Sequence, residues 1–250
     1  MKILALDSSG LVASVAVVEN ETLLAEYTVN YKKTHSQTLL PMLDEISNMT
    51  ELDLSTIDAI AVSGGPGSFT GLRIGSATAK GLGLALDKPL ISIPTTAAIA
   101  YNIWDTDKFV CPIMDARRNQ VYAGLYCYTD HHLDTIWEQD ALSIEALAEG
   151  LNCLDHEVIF LGDGVAVYRE KLEALLTIPF SFAPAHVNRQ RAAAVGALAE
   201  VYYKEGKIQT AEEHEPEYLR KSQAERERAE RESVKHADVV KKQENGDKSE

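Results

Sequence analysis

At 250 residues and 45% hydrophobic composition, the chain can build one large domain or two lobes with real cores, and no apolar run approaches the roughly 18 residues of a membrane helix. Residues 221–250 hold eight basic and eight acidic side chains, so the formal charge of −14 rests entirely on 1–220, with 16 of the 24 Lys and Arg and 30 of the 38 Asp and Glu. So acidic a body disfavours autonomous binding to a phosphate backbone, which is dominated by Lys and Arg contacts.

Met1 leads straight into the apolar strand KILAL (2–6), which predicts no secretory leader and a cytoplasmic protein. LVASVAVVE (11–19) and TLLAEYTVN (22–30) follow as β-branched strands around an EN turn. Leu39, Leu43 and Ile46 then recur at helical spacing, with Thr34 or Ser36 as candidate cap. DAIAVS (58–63) reads as a buried strand, about 70–87 as a helix, LISI (90–93) as a strand and 95–104 as a helix. The order βββαβαβα then repeats. Strands are expected at 109–115, 120–128 and 133–138, a helix at 143–151 capped by Ser143, a strand at 157–162, a helix at 165–176, a strand near 180–183 and a helix at 189–206. The expected fold is therefore α/β, with two tandem ribonuclease-H-like lobes, 1–105 and 106–220, in the actin-like architecture shared with sugar kinases and heat-shock ATPases. The mixed-charge segment 221–250 has too few apolar residues to fill a core and is expected to be a poorly ordered tail.

The stretch SGGPGSFTGLRIG (63–75) looks like a phosphate cradle. It lacks the closing Gly-Lys-Ser/Thr of a P-loop, and Gly65, Gly67 and Gly71 miss the dinucleotide spacing. A tight turn is the simpler reading, although its backbone amides could still meet an anion at the helix start. Asp7 and Asp115 each end a first strand, where an actin-like phosphotransferase keeps its carboxylates. With Ser8, Gly65, Gly67, Ser68, Arg73 and Arg117 they make up candidate vestigial phosphate loops. The first turn, DSSG, keeps one glycine and the second, DARRN, has none, so a two-loop ATP clamp is not expected.

Gly71, Gly75, Ala79 and Gly83 fall four residues apart down one helix face. Each interior glycine costs roughly 0.5–1 kcal/mol relative to alanine, so close approach of another backbone is expected there. That backbone could be the sheet or a partner helix; the partner is preferred, with Leu39, Leu43 and Ile46 on the same surface. His35 has Leu39, not a second His, at i+4, and no metal site is expected. Cys111, Cys127 and Cys153 show no CxxC spacing and are expected to be buried thiols.

Taken together, ILALDSS, HSQTLLPMLDEI, GPGSFTGLRIG, DARRNQVYAG, LGDG and EPEYLR resemble the TsaB (YeaZ) family, over essentially 1–220. The resemblance implies a non-catalytic partner of the transferase TsaD, required for threonylcarbamoylation of the adenosine beside the anticodon in tRNAs reading codons that begin with A. It implies helix-on-helix pairing of the first lobe with TsaD or with a second copy, and TsaE, an ATPase, as a further partner. TsaD carries a paired-histidine metal site on the helix corresponding to 35–49, and Leu39 stands at the second position. No cofactor of its own is implied, ATP or ADP belonging to the TsaD interface, and tRNA is reached only through the complex. The competing readings are a glycoprotease-like metallopeptidase and an actin-fold phosphotransferase.

Overall fold

The computed structural model describes residues 1–31 and 34–220. Contacts divide the chain into Met1–Glu217 and a second unit from Tyr218, so the predicted tail lies outside the described residues. Two five-stranded sheets make up the first unit. The first contains β1 (Lys2–Asp7), β2 (Val12–Glu19), β3 (Thr22–Asn30), β4 (Ala59–Gly65) and β5 (Leu90–Pro94), with α1 (Leu39–Thr50), α2 (Phe69–Leu86) and α3 (Thr95–Ala100) between or after them. The second contains β6 (Phe109–Arg117), β7 (Gln120–Thr129), β8 (His132–Ser143), β9 (Val158–Leu161) and β10 (Phe180–Phe182), with α4 (Ile144–Asn152), α5 (Gly164–Leu175) and α6 (Ala192–Lys204).

Their orders, β3-β2-β1-β4-β5 and β10-β9-β6-β7-β8, place the same connectivity in both sheets. In each, an antiparallel three-strand meander is extended by two parallel strands. This is the expected ribonuclease-H-like pattern twice over. The expected division at 105/106 falls in the connection between α3 and β6.

Strand alternation decides which helix covers which face. Leu4, Leu6, Val15, Val17, Ile60 and Val62 point toward α1 and α2, where Leu39, Met42, Leu43 and Ile46 meet them. Ile3, Ala5, Ala16, Ala59 and Ala61 point the other way, into a cluster shared with α3, α6 and the second sheet's Val110, Met114 and Tyr126. Helix α6 was expected to close the second lobe; it lies instead on the first sheet, against β1, β2, β4 and β5. The physical reason is small-residue matching. A Cβ at Gly196 would sit 2.7 Å from Val18 and 3.3 Å from Ala5, so the helix settles onto an alanine-rich face.

Glu26 of β3 fastens α6 at its start. Its carboxylate accepts from the Ala193 amide at 3.1 Å and pairs with the Arg191 guanidinium, where a negative charge also meets the helix dipole. Glu26→Ala is expected to cost about 2 kcal/mol, read as a lower urea midpoint, with Glu26→Gln recovering part of the loss.

Local corrections follow from caps. Ser143 does cap α4, accepting from the Ala146 amide at 3.1 Å. Neither Thr34 nor Ser36 caps α1; a 3-10 turn at His35–Gln37 intervenes, and Thr38 takes the cap position. Cys111 is buried, Cys127 half-buried and Cys153 exposed, correcting the expectation of three buried thiols. Cys153 sits just past the end of α4, on the solvent side of the chain.

Candidate functional site

Two surfaces could carry function, the cleft end of the glycine block and the helices α1 and α2. The first is already filled by the chain itself. The β1–β2 turn lies on the β4–α2 loop, where the Ser68 amide donates to the Ser9 carbonyl at 2.7 Å and the Ser8 hydroxyl to the Gly71 carbonyl at 2.9 Å. A Cβ at Gly67 would stand 2.3 Å from the Ser9 oxygen, and one at Gly71 would stand 2.0 Å from the Ser8 oxygen. Gly65, at φ +128°, meets the Glu217 backbone, and its peptide bond to Pro66 is cis. The glycines therefore admit backbone, as in a phosphate loop, but the backbone is the protein's own.

The segment bearing the EPEYLR motif is the strap that completes this loop. Gln209 pairs with Leu90 through two backbone bonds of 2.9 Å. Lys80 then donates to the His214 carbonyl at 2.9 Å and to the Glu212 carbonyl at 3.3 Å. The Glu217 amide donates to the Gly64 carbonyl at 2.7 Å. Gln139 of β8 closes the arrangement, donating to the Gly65 carbonyl at 3.0 Å and the Glu217 carboxylate at 2.7 Å. Ser9, Ser63, Gln139 and Glu217 were not foreseen; the sequence signals at most that EPEYLR belongs with the glycine block, not that the two touch.

Asp7 is fully buried, and both carboxylate oxygens are engaged. Oδ1 accepts from the Ser9 amide at 2.9 Å and hydroxyl at 2.7 Å, and Oδ2 accepts from the Ser63 hydroxyl at 2.6 Å. Burial, the largest influence, still holds its carboxyl above the ordinary range. A carboxyl raised on folding contributes stability that is complete below its unfolded pKa and lost as pH rises through the folded one. Asp7→Asn, which removes the buried charge, is thus expected to melt higher than wild type at neutral pH. The gap should close on acidification toward the ordinary carboxylate pKa, as melting curves of both proteins across pH would show.

The remaining phosphate-loop candidates do not converge on Asp7. Arg73 lies on the exposed side of α2, its guanidinium 4.0 Å above the Phe69 ring. Asp115 accepts from the Arg117 amide at 2.9 Å and the Tyr168 hydroxyl at 3.3 Å, and its other oxygen is 3.4 Å from the Arg117 guanidinium. His35 is held by the Gly10 carbonyl, 2.8 Å from Nε2. Leu39 is 1% exposed, inside the core. Among the described residues no group of three or more His, Cys, Asp or Glu side chains is placed to hold a metal ion, and no helix is long and apolar enough to cross a membrane.

The expected partner-binding residues need correcting. Leu39, Leu43 and Ile46 are 1–5% exposed in the chain's own core, each worth about 1.5–3 kcal/mol there, and cannot also serve a partner. Gly71, Gly75, Ala79 and Gly83 are likewise buried. Gly75 faces the Ser8 hydroxyl and Val62, and Gly83 faces Leu90 and Ala211. The stripe is shallow because the sheet and the β1–β2 turn approach it. The opposite faces are open. Ala77 and Gly81 are exposed on α2, with nothing within 4 Å of a Cβ at Gly81. Leu84 is 60% exposed, and α1 adds Leu40 at 53% and Met49 at 77%. Ala77, Gly81 and Leu84, at i, i+4 and i+7, share the outward face of α2, whereas Leu40 and Met49, nine residues apart, lie on opposite flanks of α1.

A doubled meander-and-crossover fold, with a glycine loop filled by the chain's own backbone, defines a protein of two tandem ribonuclease-H-like sheets. The profile of the family described as "TsaD: tRNA N6-adenosine threonylcarbamoyltransferase" matches residues 22–228. The chain is 32% identical to the tRNA threonylcarbamoyladenosine biosynthesis protein TsaB of Bacillus subtilis, covering 90% of this chain and 96% of that protein. It is 31% identical to TsaB of Escherichia coli over the same shares of each. A solved structure, YeaZ from Pseudomonas aeruginosa, superposes with a TM-score of 0.76 at 28% identity, covering 87% of this chain and 99% of that one. The chain belongs to the TsaB family.

Proposed function

We propose that this chain is the non-catalytic partner of a TsaD transferase in tRNA threonylcarbamoyladenosine biosynthesis, and that it offers TsaD the outward face of α1 and α2. The observation that carries the reading is that Ala77 and Gly81 leave room for a neighbouring helix on the outward face of α2, beside the exposed Leu84. Small residues let two helix backbones approach, and flanking aliphatic side chains then lose water at the contact. The acidic body fits a protein that meets tRNA only within the complex. A second copy of the chain would use the same face when TsaD is absent. TsaE joins the assembled pair, and ATP or ADP binds at the TsaD junction.

Light scattering of the purified chain mixed with TsaD tests this. A species with the summed mass of both chains is expected; separate species persisting with TsaE and ATP supplied would refute it. The chain alone at rising concentration should move from monomer toward dimer, and TsaD should displace that dimer.

A further inference from the structure

We propose that the edge strand β3 and the flank of α1 beside it form a docking groove for an extended, positively charged segment of another protein, which adds to the first sheet as a further strand. The groove has a volume of about 690 Å³ and is lined in part by Tyr27, Val29 and Tyr31 on one side and by Pro41, Met42 and Glu45 on the other. Because α1 covers β2 and β3 while α2 covers β1 and β4, the groove lies on the side of α1 away from α2. It is therefore separate from the outward face of α2 offered to TsaD.

The free edge sets the first requirement. Strands β3, β5, β8 and β10 end the two sheets, and three of them are blunted. The strap pairs Gln209 with Leu90 on β5, and β10 has only three residues. β8 carries His132, Asp134, Glu138 and Asp140 along its length, charges of the kind that deter edge pairing. β3 is nine residues long, and its one charged side chain, Glu26, is turned to Arg191 and the Ala193 amide. Among the described residues β3 pairs only with β2, in unbroken register over residues 25–30. Alternate residues of that run therefore present their amide and carbonyl groups at an open edge.

Side chains set the rest. Tyr27, Val29 and Tyr31 alternate and share the face turned toward α1, with Tyr27 42% and Tyr31 67% exposed. Pro41 and Glu45 are about one turn apart on α1, and both are exposed. A strand laid along β3 would direct every second side chain into this groove, where an apolar group loses water against the tyrosines and Met42. Among the described residues Glu45 is the one charged side chain lining the groove, and none of them pairs with its carboxylate. A second copy of the chain, joined edge to edge, would bring its own Glu45 to the same face and its own formal charge of −14. A segment with Lys or Arg flanking its apolar residues complements that charge, so a different protein is the fitting occupant.

The experiment titrates the full chain into a fluorescent heptapeptide, KVTVTVK, followed by anisotropy and by amide hydrogen exchange. Saturable binding is expected, with EVTVTVE at least about ten-fold weaker. Of the two alternately N-methylated forms of KVTVTVK, the one blocked on the side facing β3 should lose binding and the other keep it. Exchange should slow at least about five-fold for alternate amides of residues 25–30 when the peptide is bound, with no change on α2. Glu45→Lys, an exposed substitution expected to leave the melting temperature unchanged, should weaken KVTVTVK about ten-fold and favour EVTVTVE. Absence of binding, equal binding by both methylated forms, or protection confined to other elements overturns the proposal. So does protection of the β3 amides by dimerisation of the chain alone, because the occupant would then be a second copy.

Discussion

Gly71→Ala will cost the isolated chain about 3 kcal/mol of stability, even though alanine is the better helix former by about 1 kcal/mol. The added methyl carbon would lie 2.0 Å from the Ser8 carbonyl oxygen. Neither side can yield cheaply. Ser8 is tied to the Gly71 carbonyl through its hydroxyl, and Ser9 to the Ser68 amide through its carbonyl. The start of α2 or the β1–β2 turn must therefore move as a unit, loosening the Asp7 network beneath. Urea unfolding of wild type and variant measures the effect directly. Unchanged stability would mean that the turn is not seated on the helix, and would return the inward stripe to the list of candidate contact surfaces.

Gly81→Leu is expected to do the opposite. Nothing lies within 4 Å of a Cβ there, so the isolated chain should gain up to about 1 kcal/mol from helix propensity. Association with TsaD should weaken about 100-fold, because a leucine holds the two helices apart. Gly81→Ala separates the two effects: it keeps most of the propensity gain and adds a single methyl. Titration calorimetry against TsaD, alongside urea unfolding of the variants alone, reads both signs. Full affinity in Gly81→Leu would remove the outward face of α2 from the interface. The two glycines are ten residues apart on one helix, and the predicted reversal of sign between them depends only on which face each occupies.

That contrast also marks how far the sequence can be read. Helix α2 contains two small-residue rows with a period of four, one through Gly71, Gly75, Ala79 and Gly83, the other through Ala77, Gly81 and Ala85. Periodicity shows that each row defines a face, and the cost of interior glycine shows that something should approach one. Neither says which row meets the sheet. The reading that gave the first row to a partner failed because the approaching backbone, the Ser8–Ser9 turn, lies more than 60 residues away along the chain. Distance along the chain also hid the role of the glycine block, where Gly67 meets Ser9, 58 residues away, and Gly65 meets Glu217, 152 residues away.

By itself the sequence determined the order βββαβαβα twice, most element positions within a few residues, the Ser143 cap and the absence of a second histidine after His35. These are local matters, set by side-chain period, β-branching and capping chemistry within a few residues of each other. Tertiary structure alone decided that α6 crosses to the first sheet, that Asp7 is sealed by Ser9 and Ser63, that Gln190 is buried with its amide unpaired, and which side of α1 and α2 is left to face solvent. Each of these depends on contacts between residues far apart in the chain, and close packing, more than pattern, selects among the arrangements a sequence permits.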